Sequence, residues 1–117
     1  MTETELPLIT PAELKSRLDA GSGPVVVDVR EHFERRIADL PYCDQIRIPM
    51  GELPDRLTEI DARRDDESPD VVVYCKTGGR GSWATSFLIG EGRAAVYNLE
   101  GGVMGWREEV DPSLPKY

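Results

Sequence analysis

With 117 residues, 39% hydrophobic and 31% charged, the chain is long enough for one core and too short for a second, so a single domain over residues 1–117 is expected. Fourteen Lys and Arg stand against 22 Asp and Glu, a net charge of −8, which opposes docking on nucleic acid or anionic lipid and requires a local positive site for any anionic ligand. No apolar run approaches the roughly 20 residues that cross a bilayer, and the acidic start Met1-Thr2-Glu3-Thr4-Glu5 lacks the pattern of a secretory leader, so the expectation is a cytoplasmic protein.

In chain order, Leu8-Ile9 predicts a short edge strand. Thr10-Pro11-Ala12-Glu13 supplies a cap, a proline at the first helical position and a glutamate placed for a capping box. A helix through Leu18 follows, with Leu14 and Leu18 on one face, and residues 21–24 end it. Val25-Val26-Val27-Asp28-Val29 reads as a central strand covered on both faces. Glu31 to Arg36 predicts a short helix, Gln45 to Ile48 a strand, and Gly51 to Ile60 a helix with Leu53, Leu57 and Ile60 inward. Residues 61–69 read as a surface loop and Val71 to Tyr74 as a second buried strand. A helix from Gly81 to Ile89 is stopped by Gly90 and Gly92; Ala95 to Leu99 is a further strand. Glu100-Gly101-Gly102 turns the chain into a last helix with Val103, Met104 and Trp106 as packing residues, and Pro112 and Pro115 mark a trailing tail. Strands alternating with helices argue for an α/β fold on a mostly parallel sheet.

Such sheets bind ligands beyond the carboxyl ends of their strands, where helix N-termini offer free N–H groups to anions. Cys75 falls there, followed by Lys76-Thr77-Gly78-Gly79-Arg80. The paired glycines let successive amides turn inward around the sulfur. With the helix dipole, Lys76 and Arg80 they favour a thiolate as resting nucleophile. Cysteine phosphatases and arsenate reductases place five residues between cysteine and arginine; here there are four, a cup sized for one additional sulfur atom rather than a phosphate. The remaining thiol, Cys43, and the lone histidine, His32, form no CxxC pair and no zinc set, so free thiols, no metal and no cofactor are expected.

Asp28-Val29-Arg30-Glu31, the Cys75 to Arg80 loop, and Leu99-Glu100-Gly101-Gly102 with Trp106 occur in the order of the rhodanese homology domain, which the chain resembles over nearly its whole length. The loop is most similar to single-domain rhodaneses and to the rhodanese domain of enzymes that adenylate and sulfurate sulfur-carrier proteins. The resemblance implies a three-layer α/β/α fold with a five-stranded sheet. It also implies a sulfurtransferase of the thiosulfate type that carries sulfur as a Cys75 persulfide from a small anionic donor to a thiophile or a sulfur-carrier or persulfide protein. Within it Cys75, Arg80 and Asp28 are the candidate catalytic residues, and Lys76, Thr77, Gly78, Gly79 and Arg30 line the donor site; Asp28 and Arg30 brace the loop from the neighbouring strand. The alternative is a non-catalytic module of the same shape that docks a partner protein. A monomer is expected.

Some residues have plainer readings. Asp28 can cap its own turn, Arg30 and Glu31 can form a surface pair, and Trp83 reads as core, with a wall of the donor pocket as its alternative. The family's Gly-His-Ile-Pro-Gly-Ala segment is here Ala38-Asp39-Leu40-Pro41-Tyr42-Cys43; Asp39 replaces the histidine, and Cys43 replaces a small alanine in a packing role.

Overall fold

Five strands, β1 (Leu8–Ile9), β2 (Val25–Asp28), β3 (Gln45–Arg47), β4 (Val71–Tyr74) and β5 (Val96–Leu99), form one sheet in the order β1-β5-β4-β2-β3. All four pairings are parallel. The structure is a computed structural model that describes residues 6–21, 23–41, 43–67 and 69–117. The acidic start, Ser22, Tyr42 and Ser68 lie outside the described residues.

Val25, Val26 and Val27 of β2 pair in register with Val71, Val72 and Val73 of β4, and all six are 0% exposed. Because side chains alternate across a strand, each valine run has to be apolar on both sides. Val25, Val27, Val71 and Val73 pack with Leu53, Ile60 and Leu88, residues of a 3-10 helix (Met50–Asp55), α2 (Leu57–Arg63) and α3 (Gly79–Gly90). Val26, Val72 and Tyr74 pack with Leu14, Val103 and Trp106, carried by α1 (Pro11–Asp19) and α4 (Gly102–Glu109) on the opposite face. The result is the expected three-layer α/β/α arrangement. Each fully buried valine contributes about 1.5–2 kcal/mol through removal of apolar surface from water.

The capping box of α1 forms: the Glu13 N–H donates to Thr10 Oγ1 at 3.1 Å, and the Thr10 N–H donates to Glu13 Oε1 at 2.9 Å. The expected continuous helix over 51–60 does not. It divides into the 3-10 helix and α2, with Arg56 between them at φ −128°, because Pro54 has no N–H to continue a helical ladder. Leu57 is only partly buried, and residues 61–63 extend α2 instead of opening a loop. Among the described residues no helix is long and apolar enough to cross a membrane.

An all-parallel sheet brings the carboxyl ends of β2, β4 and β5 to one edge. Asp28, Cys75 and the Gly101-Gly102 turn therefore meet there.

Candidate active site

Cys75 follows the last residue of β4, and the chain then turns through Gly78, at φ +118°, into α3. A left-handed N-cap suits glycine. It aims two amides at the cysteine: the Gly78 N–H donates to Sγ at 3.1 Å and the Gly81 N–H at 3.2 Å. Gly81 lies in the first turn of α3, where N–H groups have no partner within the helix. Cys75 is 1% exposed, lining the inner end of the loop, whose Thr77 and Gly79 are exposed.

The opposite wall fixes the loop carbonyls. At the start of α4 the Val103 N–H donates to the Cys75 carbonyl at 2.9 Å and the Met104 N–H to the Lys76 carbonyl at 3.0 Å. A Cβ on Gly102, at φ +60°, would lie 2.4 Å from that Cys75 oxygen. Gly102 of the closing motif is thus required by contact with the cysteine loop, and Gly101 by the backbone that follows, where a Cβ would lie 2.9 Å from Gly105 Cα. Asn98, on β5, donates from Nδ2 to the Gly78 carbonyl at 3.2 Å, and a Cβ on Gly81 would lie 2.3 Å from Asn98 Oδ1.

Beside the cup lies a charge cluster. Arg30 is 1% exposed, and its Nε and NH2 donate to the two carboxylate oxygens of Asp28 at 3.0 Å each. Its NH1 donates to the Ala38 carbonyl and the Tyr117 hydroxyl, both at 2.9 Å. Burial lowers the Arg30 pKa, but the hydrogen bonds and charge of Asp28 outweigh it and leave it raised. The Asp28 carboxylate also accepts the Arg30 main-chain N–H at 3.0 Å and Arg47 NH1 at 2.9 Å. Arg80 forks onto Glu34 at 2.7 and 3.0 Å. Hydrogen bonds from Arg80, against some opposing desolvation, hold the Glu34 carboxyl down at about 2. The Tyr117 hydroxyl donates to Glu34 Oε1 at 3.0 Å, and the Lys76 ammonium lies 4.6 Å from the Tyr117 ring centroid.

The sequence candidates thus fall into two groups. Cys75, Lys76, Thr77, Gly78 and Gly79 form the loop, but of the expected paired glycines only Gly78 takes a positive φ and donates to the sulfur; Gly79 opens α3, and the second amide comes from Gly81, which sequence reasoning did not select. Asp28, Arg30 and Arg80 form ion pairs beside it. Arg30 is no surface residue and pairs with Asp28, not Glu31, while Asp28 keeps the local turn bond as well. Trp83 is corrected from core to surface: it is 46% exposed and stacks on Phe87 at 5.3 Å. Asp39 pairs with Arg47 at 2.6 Å, and Cys43 packs half-buried against the cluster around Trp106. Glu34, Asn98 and Tyr117 were also missed; the closing Gly-Gly pattern and the Asp28–Arg30 motif were the signals for what surrounds the loop.

A parallel α/β sheet with a short, amide-lined cysteine loop at its carboxyl edge defines the class of cysteine-loop α/β domains. Residues 10–109 match the rhodanese-like domain, and the chain belongs to that family. It is 36% identical over 93 residues to a sulfurtransferase of Allochromatium vinosum, covering 80% of each chain. The likeness extends to the solved human single-domain sulfurtransferase TSTD1, with a TM-score of 0.71 at 25% identity over 90% of this chain and 98% of that one. A third relative, the chloroplastic rhodanese-like/PpiC domain-containing protein 12 of Arabidopsis thaliana, is 35% identical over 92 residues; these cover 79% of this chain but 30% of that protein. Family and relatives together support sulfurtransferase activity.

Proposed function

We propose that the protein transfers sulfane sulfur through a persulfide on Cys75, with thiosulfate as a competent donor. The observation that carries the reading is the convergence of the Gly78 and Gly81 N–H groups on one sulfur atom. Two preorganised neutral donors suit a sulfur anion at rest and remain beside it when a second sulfur is added.

In the first half-reaction the Cys75 thiolate attacks the outer sulfur of thiosulfate. A new S–S bond forms, the S–S bond of the donor breaks, and sulfite leaves with the electron pair. In the second, a thiophile such as cyanide, a small thiol or the thiolate of a sulfur-carrier protein attacks the terminal sulfur and returns Cys75 as thiolate. Lys76 and Arg80 supply positive charge to the anionic donor. Arg80 acts as a fixed charge, since its fork is already engaged by Glu34. Asp28 and Arg30 act at one remove, by fixing the wall against which Glu34 and Arg80 sit.

The test is thiosulfate-to-cyanide turnover in wild type and Cys75→Ser. A loss of at least about a thousandfold is expected. Equal turnover in the two proteins would remove the proposal.

A further inference from the structure

We infer that Tyr117 is a positioning residue of this site, holding in place the two cations that face an anionic donor. The inference deepens the sulfur-transfer reading and rests on it for its meaning, although the contacts stand independently. Residues 111–117, which sequence reading treats as a trailing tail, return to the carboxyl edge of the sheet. There the Tyr117 hydroxyl accepts from Arg30 NH1 at 2.9 Å and donates to Glu34 Oε1 at 3.0 Å, while its ring face receives the Lys76 ammonium at 4.6 Å. One side chain thereby touches both supports of the site's positive charge. Glu34, oriented by that hydroxyl, grips Arg80 through both carboxylate oxygens. Lys76, next in chain to the nucleophile, has no acidic partner among the described residues, so the ring is what limits where its flexible stem carries the charge.

The Tyr117 ring also packs against the apolar cluster around Trp106, which alone would fasten the tail, but a tyrosine serving only that end would leave its hydroxyl to solvent. Here the hydroxyl both accepts and donates within the charge cluster. Placement of Lys76 and Arg80 beside the cup is also what discriminates an anionic reagent from a neutral one of similar size.

The experiment compares alkylation of Cys75 by iodoacetate and iodoacetamide, in a Cys43→Ala background, for wild type, Tyr117→Phe, Tyr117→Leu and Lys76→Met. The ratio of the two rates reports the local positive charge without any sulfur transfer. It should fall about threefold or more in Tyr117→Leu and in Lys76→Met, and less in Tyr117→Phe, which keeps the ring. The KM for thiosulfate should rise in the same order. An unchanged ratio in both tyrosine variants overturns the inference. So does a parallel fall with both reagents, which marks a purely structural role. Should Tyr117→Leu fail to fold, Tyr117→Phe decides through the hydroxyl's hold on Glu34 and so on Arg80: an unchanged ratio there overturns it. If wild type forms no persulfide, the sulfur-transfer reading fails while the alkylation ratio still decides the role of Tyr117.

Discussion

Two adjoining regions at the carboxyl edge of the sheet treat charge in opposite ways. Around Cys75 the donors are neutral main-chain amides, brought into place by glycine geometry at Gly78 and by the carbonyl clamp at Gly102. Beside them, Asp28 pairs with Arg30 and Arg47, and Glu34 with Arg80. The contrast teaches that a chain of net charge −8 can place neutral donors directly on the sulfur and hold its arginines in paired positions one step away, Arg30 in the wall and Arg80 beside the cup.

The largest expected effect strikes the amide side. Gly102→Ala puts a Cβ 2.4 Å from the Cys75 carbonyl at a positive φ, and should cost about 4 kcal/mol in urea unfolding. A loss under about 1 kcal/mol would show that the clamp is soft. Next, Arg30→Met removes the main partner of a buried carboxylate and should cost about 3 kcal/mol. A neutral effect would mean that Arg47 alone suffices for Asp28.

Glu34→Gln separates the two regions by pH. The Glu34 carboxyl is held at about 2 against an ordinary 4.5. Its contribution is therefore present above about pH 4.5 and lost as pH falls toward 2, on the order of 2 kcal/mol after discounting for partly exposed Arg80. The wild type should show a steeper acid slope in its stability curve than the variant, which keeps only the slope of carboxylates such as Asp61 and Glu59; the same slope in both would contradict the pairing. At the small end, Lys15→Ala breaks only the exposed Lys15–Asp19 pair and should shift stability by less than about 0.5 kcal/mol.

Much of the fold was legible because its signals are local. Two valine runs mark strands buried on both faces, Thr10 to Glu13 spells a capping box, and paired glycines announce the turn at Cys75. The helix over 51–60 that the apolar spacing of Leu53, Leu57 and Ile60 predicts is broken at Pro54, which has no N–H to continue a helical ladder. Of the charge cluster, Asp28 and Arg30 were legible as a motif two residues apart, but the rest was not, because its partners are distant in sequence: Glu34 meets Arg80 at a separation of 46 residues and Tyr117 at 83. No local pattern marks such pairs. A surface pair with Glu31 stayed open as the plainer reading of Arg30, because only the folded wall of Ala38, Tyr74 and Tyr117 completes a buried set of acceptors for its guanidinium. Trp83 read as core for its size, whereas the face of α3 that carries it looks outward.

The most direct measurement on the sulfur cup is the intact mass of the protein after incubation with thiosulfate, followed by fragment mapping. One added sulfur atom on Cys75, removed by cyanide and absent from Cys75→Ser, is the predicted result. An unchanged mass, or sulfur carried on Cys43 instead, would contradict a persulfide held by the Gly78 and Gly81 amides.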